Sequence, residues 1–189
     1  MHLSNLYDVP QKICAIDAST NNLAFAIFDG KELTHIGKIN FSGSTTYEKV
    51  SDACAKAAAV FKLFDIEAVL IEHTVFINSP KTAADLALVQ GAMLGGMSLA
   101  GVKIIKSINP IAWQTFAGNP RLTTEEKKKL RSANPGKSDS WYKNREREFR
   151  KQRTIMFANT YYDKSINDND IADAVGVGHY GVHNWSKLN

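Results

Sequence analysis

Residues 12–30 read Lys-Ile-Cys-Ala-Ile-Asp-Ala-Ser-Thr-Asn-Asn-Leu-Ala-Phe-Ala-Ile-Phe-Asp-Gly. An apolar run closes on Asp17, Ser-Thr-Asn-Asn breaks it, and a second apolar run leads to Asp29-Gly30, a strong hairpin signal. A third strand-like stretch follows over residues 32–41. The three predict an antiparallel meander with an acid at the end of its first strand.

Working outward, residues 46–64 have helical periodicity, with Val50, Ala53, Ala57, Val60 and Phe64 on one face. Residues 68–71 form a continuous apolar run of the kind expected in a buried central strand, and Glu72 closes it. Pro80 precedes a long helix over about 81–100. Residues 103–108 read as a fifth strand, and Pro110 opens a short helix toward Phe116. Periodicity returns over 151–161, and a last helix is expected from Ile166 to about His179. The order of elements predicts a mixed α/β sheet covered by helices. Gly91, Gly95 and Gly96 fall mid-helix. They suit close packing, either across a dimer interface or within one subunit.

The chain has 189 residues, the size of one domain or one domain with an insertion, and its 44% hydrophobic content is enough for a core. Its net charge is +4, but residues 121–153 carry 12 basic and 5 acidic residues, leaving −3 for the rest. Residues 119–150 are polar and short of aliphatics, which predicts an insertion or flexible arm. Two readings fit the basic segment: a docking surface for a polyanion, or a solvated loop. Cys14 and Cys54 have apolar settings and no zinc-type spacing, so buried free thiols in a reducing compartment are expected. No signal peptide is recognised at the N-terminus. Residues 86–105 are broken by Gln90, Ser98, Lys103 and glycines, so a core helix plus strand is expected there instead of a membrane span.

Four carboxylates end three apolar segments. Asp17 and Glu72 close strands, while Asp170 and Asp173 are three apart and share a helical face. Gathered carboxylates repel one another and resist desolvation unless a cation is held among them. Hard oxygen donors suit Mg²⁺, with Mn²⁺ as a substitute. Asp168 replaces Asp170 in this set if the last helix begins a turn earlier. Asp170 alone also suits a helix N-cap.

Five segments carry a family resemblance. Ile-Asp-Ala-Ser-Thr-Asn-Asn-Leu-Ala-Phe-Ala-Ile, Leu-Ile-Glu-His-Thr-Val-Phe, Ala-Leu-Val-Gln-Gly-Ala-Met-Leu-Gly-Gly, Asn-Pro-Ile-Ala-Trp-Gln-Thr-Phe-Ala-Gly and Asp-Asn-Asp-Ile-Ala-Asp-Ala-Val-Gly-Val-Gly occur in that order. Together they resemble the RuvC-like Holliday junction resolvases of the RNase H-like superfamily. The chain departs from that pattern at Ala18-Ser19, where the family commonly has Pro-Gly. It has one extra residue between Glu72 and Phe76, and a longer basic segment.

The resemblance implies an RNase H-like mixed five-stranded sheet flanked by helices, residues 1–189 forming one nuclease domain with a basic insertion at about 119–150. It implies a Mg²⁺-dependent endonuclease of DNA recombination and repair that resolves four-way junctions, and other branched DNA, by paired nicks. The enzyme would be a homodimer in the cytoplasm of a bacterium or a phage-infected host. It makes Asp17, Glu72, Asp170 and Asp173 metal ligands and Lys151, at the start of the late helix, a catalytic-site lysine. Phe76 would stack on or wedge into bases at the junction, or else be a core or interface residue. His73, beside Glu72, is expected to be a supporting or core residue. The DNA-binding set is Lys127, Lys128, Lys129, Arg131, Lys137, Trp141, Lys143, Arg145, Arg147, Arg150 and Arg153, with Tyr142 interleaved. An exposed amphipathic helix would read the same way. Two alternatives stand: a catalytically silent nucleic-acid-binding module on this fold, and an actin-like phosphotransferase. The latter needs a second phosphate loop, which the chain lacks.

Overall fold

The computed structural model describes residues 9–72 and 79–188. Phe76 and His73 lie outside them. Strands β1 (Lys12–Ala18), β2 (Asn22–Asp29) and β3 (Glu32–Asn40) form the expected meander. The Ser19 hydroxyl oxygen accepts from the Asn21 and Asn22 amides and closes the first turn. Gly30, at φ 57°, makes the second. Strand β4 (Ala68–Glu72) runs parallel to β1, and β5 (Ile104–Ile108) parallel to β4, giving the order β3-β2-β1-β4-β5. This is the RNase H-like mixed five-stranded sheet flanked by helices.

Strand alternation divides the core in two. Cys14, Ile16, Val69 and Ile71 face α1 (Thr46–Phe64) and α2 (Pro80–Leu99). Ile13, Ala15, Ala68 and Leu70 face the other way, against α3 (Pro110–Phe116) and the last helix, α6 (Asn169–His183). The face of α1 that is buried centres on Ala53, Ala57 and Phe61; Val50, Val60 and Phe64 lie at its margins. The buried stripe is therefore rotated slightly from the expected one. On α2, Gly96 packs on Cys54, whereas Gly91 and Gly95 are exposed.

Helix α6 lies very close to the sheet. A Cβ on Gly178 would fall 2.1 Å from the Phe28 ring, and one on Gly181 2.1 Å from Leu70 Cδ1. Both neighbours are buried, so neither can yield cheaply. Gly178→Ala should destabilise the protein by about 1–3 kcal/mol, read as a lower urea midpoint. An unchanged midpoint would mean that α6 does not pack this tightly.

The polar stretch expected to be an insertion or flexible arm is largely helical. It contains α4 (Thr124–Ala133) and the beginning of α5 (Asp139–Tyr162). The expected start at Lys151 is corrected, since α5 runs unbroken from Asp139. Charge and capping replace aliphatic burial here. Thr123 and Glu126 form a capping box, and Lys129–Glu125 and Arg145–Glu148 pair along the helices. Arg131 pairs with Asp139 and lies over the buried Tyr142 ring. The last helix is also shifted: it begins at Asn169, capped by Asp168, and continues to His183.

Candidate active site

Strand parity decides where the acids point. Asp17 continues the Ile13–Ala15 face, and Glu72 continues the Ala68–Leu70 face, so both look toward α6. The last registered pair, Ile16 with Ile71, puts Asp17 and Glu72 side by side at one rim of the parallel pair. Asp170 and Asp173 meet them from the first turns of α6.

The four carboxylates are electrostatically joined. Burial, followed by the charges of Asp173, Glu72 and Asp170, raises Asp17 from 3.8 to about 8. Burial and then Glu72 raise Asp173 to about 7, opposed by a Thr154 hydrogen bond and the Lys151 charge. Glu72 is also raised, mainly by burial, against a hydrogen bond from Trp113 and the charge of Arg150. Protons or a cation must therefore compensate this site near neutral pH.

Three of the acids have protein partners. Trp113 Nε1 donates to Glu72 Oε2 at 2.6 Å. Thr154 engages Asp173. Lys38 Nζ lies 2.6 Å from Asp170 Oδ2 and 2.9 Å from Asp168 Oδ2. Among the described residues, no three His, Cys, Asp or Glu side chains stand together as an ion-holding group. The donor chemistry fits a hard divalent ion, but Lys38 and Trp113 hold two of the carboxylates to other partners. Asp168 serves the helix instead, accepting from the Asp170 and Ile171 amides.

A cavity of about 330 Å³ adjoins the acids, lined by Glu72 and Asp173 together with Arg147, Arg150 and Lys151. Gln114, Asn119 and Thr154 complete it. Asn119 Nδ2 donates to Thr154 Oγ1 and the Arg150 carbonyl oxygen, both at 2.8 Å, while the Arg150 guanidinium donates to Gln114. A second cavity, of about 340 Å³, shares Arg147 and Arg150 and adds Arg121, Lys127 and Lys143, with Leu122 and the acid Glu146. The two form a cationic trough that ends at the acids.

Several residues of the expected DNA-binding set are occupied within the fold. Lys127 pairs with Glu146 and Arg153 with Glu126, in addition to the Lys129, Arg131 and Arg145 pairs. Lys137 lies over the half-buried Trp141 ring, which is covered from that side. Lys128, Lys143 and Arg147 are exposed. Lys151 sits on α5 with Nζ 3.3 Å from Asn169 Oδ1. Sequence reading missed Lys38, Gln114, Asn119, Trp113 and Thr154 as site residues. The signal for Lys38 was its spacing of two from Ile36, which packs on the α6 side of β3; Leu33 joins that face only through an irregularity in the β2–β3 pairing.

No protein-family model matches the chain, and no curated protein sequence does. Solved structures do. Thermus thermophilus RuvC in complex with a Holliday junction substrate superposes with a TM-score of 0.67 at 15% identity, covering 93% of this chain and 96% of that one. The T. thermophilus RuvC structure on its own gives 0.65 at 16% identity, with the same coverage. The yeast mitochondrial Holliday junction resolvase Ydc2 gives 0.55 at 9% identity, covering 94% and 80%. The fold is RuvC-like. The likeness spans nearly the whole chain. Among the described residues, no helix is long and apolar enough to cross a membrane.

Proposed function

We propose that the protein is a divalent-metal-dependent DNA endonuclease that cuts branched DNA, four-way junctions included, as a homodimer. The observation that carries this reading is the coupled set of four carboxylates at the end of a cationic trough. The RuvC-like fold supports it, since the similar T. thermophilus protein is described with a Holliday junction.

In this reading Asp17, Glu72, Asp170 and Asp173 hold Mg²⁺, or Mn²⁺ in its place. Ions held there would supply Lewis-acid chemistry, lowering the pKa of an attacking water and offsetting charge on the departing 3′ oxygen. The protein's own groups orient and neutralise. Trp113 fixes the Glu72 carboxylate. Lys151 and Arg150 bring positive charge beside Asp173 and Glu72, where a scissile phosphate would need it. Lys143 and Arg147 contact the backbone leading to the site, while the internally paired cations mainly stiffen α4 and α5. The chain acts as one nuclease domain carrying residues of about 119–150 as a basic addition. Exposed Gly91 and Gly95 on α2 offer a face for close subunit contact.

The test offers a labelled four-way junction, linear duplex, Y-fork and RNA–DNA hybrid with Mg²⁺ or EDTA. Paired symmetric nicks in the junction, lost in EDTA, are expected. Equal cutting of every branched form would make it a general debranching nuclease. Tight binding without cutting under any metal would leave the silent binding module.

A further inference from the structure

Lys38 reaches from β3 to the first turn of α6 and bridges two carboxylates of different kinds. Asp168 accepts from the Asp170 and Ile171 amides at Oδ1 and from Lys38 at Oδ2. Asp170 accepts from the Asn169 side-chain amide at Oδ1 and from Lys38 at Oδ2. The ammonium charge also extends to Asp17. The site thus has a cation among its acids, and that cation is supplied by the chain.

We propose that Lys38 is a tethered counter-ion that occupies the cation position at Asp170 until a divalent ion binds, then releases Asp170 while remaining on Asp168. The proposal rests on the reading of the four carboxylates as a metal centre. Three features support the exchange. The ion pairs are partly open to solvent, with side-chain exposures of 24% for Lys38 and 30% for Asp170, so each is individually weak. A lysine ammonium is a compact charge on a flexible stem, able to turn away from one oxygen while holding another. Asp168 is committed to capping α6, so it retains Lys38 near the site without competing for the metal. Lys38 is therefore a positioning residue. It keeps repelling acids assembled in the metal-free protein, at the cost of divalent-ion affinity.

The experiment measures Mn²⁺ binding by calorimetry and thermal melting in EDTA for wild type, Lys38→Met and Lys38→Gln. The Gln variant keeps a hydrogen bond to the acids without the charge, so it remains informative if Met prevents folding. Both variants should melt lower in EDTA and bind Mn²⁺ roughly tenfold tighter, as expected when a nearby positive charge is removed. Mn²⁺ affinity that is unchanged or weakened in the variants would overturn the counter-ion role alone. A wild type that binds no Mn²⁺ would overturn the metal-centre reading and this proposal together.

Discussion

Asp17→Asn and Asp173→Asn should each cut junction cleavage by at least about a thousandfold, yet raise the melting temperature of the metal-free protein. The activity loss follows from removing a charged oxygen donor from the proposed metal site. The gain in stability follows from the same electrostatics. Asp17 and Asp173 are held near 8 and 7, against an ordinary 3.8. In the unfolded chain both ionise from about pH 4; in the folded protein they ionise only near 7 to 8. Between those values the folded state binds more protons, so stability falls as pH rises and recovers toward acid. Each tenfold difference in proton affinity between the folded and unfolded chain corresponds to about 1.4 kcal/mol. The penalty near pH 8 is therefore substantial, even after allowance for coupling between the acids.

An amide carries no such penalty. In EDTA at pH 8 each Asn variant should melt roughly 5 °C above wild type, with the advantage shrinking toward pH 4. Melting curves at several pH values, alongside gel assays of cleavage, test both parts. An Asn variant that melts below wild type at pH 8 would show that the carboxylate is held by favourable contacts. One that still cuts would remove that residue from the metal site.

The second large effect concerns the trough. Lys143→Glu combined with Arg147→Glu should weaken binding to a four-way junction by about a hundredfold at low salt, through lost and then repulsive phosphate contacts. Because two backbone contacts disappear, the log–log salt slope should become shallower by about 2. Both residues are exposed; Arg147 lines both cavities and Lys143 the second, so folding should be little affected. Reversing the paired residues Lys129 and Arg145 offers the contrast, since their charge is already matched by Glu125 and Glu148. If those reversals weakened DNA binding as much as Lys143 and Arg147 do, the effect would come from total charge and not from the trough.

The extent of sequence legibility differs between the acidic site and the basic segment. The meander, α1 and β4 could be read because alternation and helical periodicity are local properties of a partly buried chain. Asp17 and Glu72 were visible because each closes an apolar strand, and Asp170 and Asp173 because they are three apart on one face of a helix that the fold must bury. The basic stretch reads as an insertion or flexible arm, and its helices stay hidden in the sequence because helices stabilised by capping boxes and ion pairs leave almost no apolar periodicity. Charge alone likewise could not separate Lys143 and Arg147 from Lys127 and Arg153. Their difference lies in which acid the fold places opposite each one.

By itself, then, the sequence determined the alternating strands, the acids that terminate them, the glycine-rich last helix and the concentration of basic residues. Local backbone preference and hydrophobic period are enough for those. Only the tertiary structure decided that Asp17 and Glu72 share a rim, since parallel register is set by packing across segments far apart in sequence. It alone brought Lys38 from the third strand onto Asp170 and Trp113 onto Glu72. Such contacts depend on the three-dimensional path of the chain, and the same path brings the Lys143 and Arg147 trough to the acids.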